Sequence, residues 1–152
     1  MGAPMMRWTA KFFALTRSDR ALLLSALAPL IAMRAALWTL TFARVSSIAA
    51  AMSRPMRIRT AYARPSPDRI AWAVSVASRI IPDGSNCLVR ALATGIMLKR
   101  FDYPSELKIG VMKPIGGGLE AHAWLESEGT VVIGDFRLDR YIPLVAPDAV
   151  AR

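Results

Sequence analysis

The run NCLVRALATGIMLKRFDYPSELKIGVM, Asn86 to Met112, changes its hydrophobic period part-way along. Leu88, Leu92 and Ile96 recur at the spacing of one helix face, which predicts a helix from about Asn86 to Arg100. In ELKIGVM, Leu107, Ile109 and Val111 alternate with polar or small residues, the period of a half-buried strand. Downstream, Gly116–Gly118 make a flexible link. LEAHAWLE and TVVIGD then read as two strands joined through Ser127-Glu128-Gly129. Helices first and antiparallel strands afterwards give an α+β architecture.

Upstream the signals are helical. Ser66-Pro67-Asp68 is a hydroxyl cap, a proline whose missing donor is harmless at the first turn, and an acid for the positive end of the dipole. Ile70, Val74, Ala77 and Ile81 follow at core-facing spacing, until Pro82 stops the helix. Further back, TRSDRALLLSAL offers Ser18 as a cap with Asp19 in the first turn. Pro29 is expected to kink that helix or to start a second one, and helical sequence continues to about Ala51. Ser53 to Pro67, rich in proline and arginine, reads as an exposed connector. We therefore expect a basic helical region over 1–65 and a core over 66–152.

Charge is divided in the same way. Residues 1–69 carry 11 Lys/Arg against Asp19 and Asp68, whereas residues 70–152 carry nine of each sign. The basic half attracts an anionic partner: acidic peptide, acidic protein or anionic lipid. Nucleic acid is not expected, because the arginines are scattered among leucines and alanines and no binding motif accompanies them. The most membrane-like piece, Ala21–Met33, is bounded by Arg20 and Arg34 and falls short of the roughly 20 residues a span requires. Buried helices are the preferred reading, with weak association at a membrane surface kept open.

The chain has one cysteine and one histidine. A single cysteine forms no internal disulfide and suits a reducing, cytoplasmic setting. No metal-ligand spacing and no phosphate-binding motif is present, Asp83-Gly84-Ser85 and the triple glycine included, so no metal or cofactor is expected. A lone cysteine commonly fills a core. Cys87, however, stands at a helix start, where unpaired N–H groups and the dipole favour a thiolate. A two-residue loop at Glu128-Gly129 would pair Ser127 with Thr130, and the same register carried onward sets His122 opposite Asp135, where a carboxylate could orient an imidazole. A three-residue loop would instead set Gly134 opposite His122, with Asp135 diagonal and still in reach; Asp139 is the alternative acid. The Cys87 N–H is a natural oxyanion donor, Asn86 a second through its side-chain amide, and Trp124, on the His122 face, a wall. Glu126 and Glu128, near the turn, are expected to be solvated charges.

NCLVRALATGIMLKR, PSELKIGVMK, EAHAWLE and GTVVIGD, in that order, resemble the lasso-peptide biosynthesis leader peptidase family, whose fold is transglutaminase-like and related to papain. The resemblance covers roughly Asp68 to Arg140. It implies Cys87 as nucleophile, His122 as general base and acid, and Asp135 as the residue that orients His122. It also implies a ribosomally made precursor peptide as substrate, cut between leader and core, and a separate ATP-using lasso cyclase as the next enzyme. Residues 1–67 lack the look of the winged-helix-like leader-recognition domain that some members carry, which implies a separate leader-binding protein.

Overall fold

A computed structural model describes residues 14–54, 64–81, 86–134 and 137–144. Four α-helices and a four-stranded antiparallel sheet make up its regular structure among these residues.

The first helix, α1 (Arg17–Thr39), is capped by Thr16, whose side chain accepts the Asp19 N–H at 3.1 Å. The cap thus falls two residues before the expected Ser18, whose hydroxyl instead meets the Thr16 hydroxyl at 2.9 Å. α1 runs through Pro29 rather than restarting there. The chain breaks at Leu40 and Thr41, and α2 (Phe42–Met52) follows. Proline removes one backbone donor and crowds the preceding turn. Here the surrounding side chains hold the helix together: Pro29 and Leu30 are fully buried.

Helix α3 (Pro67–Ser78) starts as expected, with Ser66 accepting the Arg69 N–H at 3.3 Å and Pro67 at the first position. It ends three residues before the expected Ile81, in a turn over Arg79 and Ile80. Ile70, Val74 and Ala77 are buried, as their spacing requires. Helix α4 (Cys87–Arg100) buries Val89, Leu92, Ile96 and Met97, and its last-turn Lys99 and Arg100 suit the negative end of the dipole. Arg90 Nη2 donates to Ser75 Oγ at 3.0 Å, tying α4 to α3, and Arg100 Nε donates to the Met52 carbonyl at 2.9 Å, tying it to α2.

One hydrophobic core unites these helices. Leu22, Leu30 and Met33 of α1 share it with Ile70 and Val74 of α3, Ile96 and Leu98 of α4, and Ala123, Leu125 and Ile133 of the sheet. The stretch expected to divide the chain at 65/66 falls largely outside the described residues, and the core extends across it.

The sheet runs in the order β3-β2-β1-β4, with β1 at Glu106–Met112, β2 at Glu120–Ser127, β3 at Thr130–Ile133 and β4 at Ile142–Leu144. Glu128 and Gly129 both have positive φ, 51° and 78°, the backbone of the tight loop whose twist matches flanking strands. Ser127 pairs with Thr130 and Glu126 with Val131, as expected. A bulge then shifts the register, so that Leu125 pairs with Ile133. β4, unforeseen in the sequence, follows a short 3-10 turn at Leu138–Arg140 and returns to pair with β1.

Candidate active site

The start of α4 is built by Asn86. Its Oδ1 accepts the Leu88 N–H at 2.9 Å, which makes Cys87 the first helical residue. The carboxamide oxygen is thereby committed to the cap, leaving only the NH₂ end of Asn86 for the expected role at an oxyanion. The Cys87 N–H belongs to the first turn, whose donors have no carbonyl of their own helix to bind. Cys87 is free, half-buried and packed against the core, with Sγ 4.0 Å from Asn86 Oδ1.

β2 sorts its side chains by alternation. Ala123 and Leu125 enter the core beneath the helices, and a methyl on Gly95 of α4 would lie 3.5 Å from Leu125 Cδ1. His122 and Trp124 therefore leave the other face of the sheet. Trp124 is buried there and donates its indole N–H to Glu126 Oε1 at 2.9 Å. Glu126 is consequently not a merely solvated charge: it is half-buried and also lies 3.6 Å from Lys108 Nζ. Glu126 first, then Glu106, raises the Lys108 pKa by Coulombic attraction.

The His122 ring is held on three sides. Nε2 lies 2.8 Å from the Gly134 carbonyl oxygen. A carbonyl only accepts, so Nε2 carries the proton and Nδ1 keeps the basic lone pair. The rings of Trp124 and Tyr141 stand 6.4 and 5.1 Å from the imidazole, centroid to centroid. Opposite His122 on β1 is Gly110, where a Cβ would come within 2.9 Å of both Trp124 Cζ3 and Tyr141 Cβ. Only hydrogen fits between the two aromatics at that point.

Cys87 and His122 thus sit on two packed elements, α4 and β2. No hydrogen bond joins Sγ to the imidazole among the described residues; the thiol's polar neighbour is Asn86, and the ring's is Gly134. At the level of His122 the ladder to β3 has ended, its last pair being Leu125 with Ile133. Asp135, expected opposite His122, lies outside the described residues, and the bulge removes the register that set it there. The fallback Asp139 is an exposed residue of the 3-10 turn. No three His, Cys, Asp or Glu side chains converge as metal ligands would among the described residues.

Sequence reasoning missed Gly110 and Tyr141, and it named Gly134 only as an alternative register partner of His122, not as a hydrogen-bond acceptor. A backbone carbonyl leaves no side-chain signal, and Tyr141 depends on a strand too short to show alternation. Gly134 could have been suspected as a glycine at a strand end: its φ is +86°, and a Cβ there would lie 2.8 Å from the Ala123 carbonyl oxygen.

The model of the Transglutaminase-like superfamily matches residues 29–146. The chain belongs to this superfamily. The match takes in the second half of α1, all of α2 to α4 and the whole sheet, so the helices before α3 are part of the matched unit. Membership carries cysteine protease or acyltransferase chemistry as the general type of activity. No curated protein and no solved structure matches the sequence.

Proposed function

We propose that this transglutaminase-like protein is a cysteine peptidase that removes the leader from a ribosomally made lasso-peptide precursor. The observation that carries the reading is the pairing, within one superfamily match, of a cysteine at the first position of α4 with a histidine on the strand packed against that helix. The Gly134 hydrogen bond supports it, because it leaves Nδ1 of His122 as the base.

In this mechanism His122 takes the Cys87 proton, and the thiolate attacks the carbonyl carbon of the last leader residue. The Cys87 N–H, with the Asn86 amide, stabilises the oxyanion. Collapse breaks the C–N bond as His122 gives its proton to the departing core amine. Water, deprotonated by His122, then hydrolyses the thioester and frees the leader acid. With the Gly134 carbonyl holding the ring, Asp135 is assigned to stabilise the imidazolium that forms, and Trp124 to shield it. This mechanism requires the His122 ring, which leaves the sheet on the face away from the core helices, to turn toward Sγ when substrate binds.

The partners in this reading are the precursor, a separate leader-binding protein that presents it, and the cyclase that closes the new amine onto an acidic side chain. Mass spectrometry of precursor incubated with this chain and the leader-binding protein tests it. Free leader acid and free core amine are expected, and neither should form with Cys87→Ala. An amide adduct of the leader would instead establish acyl transfer, which the superfamily match equally allows.

A further inference from the structure

Helix α1 has two apolar sides. Leu22, Leu23, Ala26, Leu30, Met33 and Ala36 make the first, each no more than 7% exposed. Ala21, Leu24, Ala28, Ile31, Ala35 and Trp38 make the second, spaced alternately three and four residues apart, and all six are exposed. That spacing keeps them on one stripe of the helix, about 25 Å long at 1.5 Å per residue. Leu24 is 58% exposed, Ile31 56% and Trp38 78%; Phe42, at the start of α2, is 47% exposed. An apolar strip of this length is more than the scattered exposed leucines of an ordinary surface.

Beyond Asp19, the charges that α1 and α2 themselves carry are of one sign. Residues 20–67 contain no acid, while Arg20, Arg34, Arg44 and Arg54 fall among them. Arg17 and Arg20 stand at the N-terminal end of the stripe, and Arg34 Cζ stacks over the Trp38 ring at 5.3 Å at the other end. The nearby Asp19 is turned to Arg69 of α3. A second copy docked through this same face of α1 would bring Arg20 and Arg34 against arginines, with no acid beyond Asp19 on that helix to answer them. The complement of this face is apolar in the middle and negative at the margin.

We propose that this face of α1 is a docking surface for an anionic lipid membrane, with the helix lying in the plane of the interface. α1 is long and apolar enough to cross a membrane by length and composition. Its first side, however, is packed against α3 and α4, which leaves only the second to meet lipid. An in-plane helix of this kind buries apolar side chains among the acyl chains, sets tryptophan at the headgroup level and draws its arginines to anionic headgroups. The surface is independent of the chemistry at Cys87.

The experiment is sedimentation of the full chain with vesicles of phosphatidylcholine alone or of phosphatidylcholine and phosphatidylglycerol mixed about three to one. The chain should pellet with the mixed vesicles at about 50 mM salt and far less at about 500 mM. The triple variant Leu24→Gln, Ile31→Gln, Trp38→Gln should reduce the partition coefficient at least ~10-fold. Its helical circular dichroism checks that it folds. As a second readout, the fluorescence blue shift on adding mixed vesicles should shrink in Trp38→Phe, which keeps an apolar side chain and still pellets. Failure of the wild type to pellet with the mixed vesicles, or equal pelleting of wild type and a folded triple variant, would overturn the proposal. A dimer in sedimentation velocity that the triple variant abolishes, without vesicle binding, would give the face to a second copy instead.

Discussion

The His122 ring donates from Nε2 to the Gly134 carbonyl at 2.8 Å, so a backbone group has already chosen the tautomer of the one histidine in the chain. In a Cys-His-acid site that task belongs to the acid. Here the carbonyl performs it, and an added carboxylate would mainly stabilise the imidazolium. Asp135→Asn should therefore lower kcat/KM for precursor cleavage by about 10- to 100-fold, well short of the roughly 10⁴-fold seen where the acid alone sets the tautomer. Steady-state kinetics on both proteins checks this.

Gly134 itself should tolerate no side chain. Its φ of +86° and the 2.8–2.9 Å approach of Ala123 O and Trp124 to a built Cβ add backbone strain to overpacking. Gly134→Ala should cost about 2–4 kcal/mol in chemical denaturation. Gly110→Ala faces the Trp124 and Tyr141 side chains rather than backbone, and its cost should be smaller, about 1–3 kcal/mol. A near-neutral Gly110→Ala would show that these aromatics are not wedged behind His122.

The ion pair between α1 and α3 gives stability an acid limb. Arg69 Nε and Nη2 lie 2.9 and 2.6 Å from the two Asp19 carboxylate oxygens, and the hydrogen bond from Arg69 is the main cause that lowers the Asp19 pKa. A depressed folded-state pKa contributes stability above the unfolded value of 3.8 and loses it as pH falls through the folded one. The Arg69 side chain is 43% exposed, so solvent screening limits the effect to about 1 kcal/mol or less. The melting temperature of the wild type should fall on acidification below about pH 4 more steeply than that of Asp19→Asn. Parallel acid limbs would remove the pair from the account.

Much of the architecture was legible because local rules and tertiary context agreed. Ser66-Pro67-Asp68 marked the start of α3, Asn86 with Cys87 the start of α4, and Glu128-Gly129 the hairpin. Of the two outcomes expected at Pro29, a restart of the helix did not occur: the proline is buried within one continuous helix. The register beyond Leu125 misled because a bulge adds a residue on one strand with no composition to announce it. Cys87 and His122 were visible as the single residues of their kind at suitable positions. Gly134 acts through its backbone, and Tyr141 stands just before a strand of only three residues, so neither could be read from side-chain pattern.

Removing the cap of α4 tests how far the helix start governs the thiol. Asn86→Ala frees the Leu88 N–H and should cost about 1 kcal/mol of stability. It should also change the rate at which Cys87 reacts with iodoacetamide, whereas Asn86→Asp, which keeps the capping oxygen, should preserve stability to within a few tenths of a kcal/mol.

The measurement that bears most directly on the central claim is mass spectrometry of Cys87 alkylation by iodoacetamide, for wild type and His122→Ala, with and without the leader-binding protein, at neutral and mildly acidic pH. An activated pair predicts fast labelling that persists in mild acid and slows at least ~10-fold in His122→Ala. Slow labelling, equal in both proteins under every condition, would contradict the account and leave Cys87 as a core residue of a peptide-binding module.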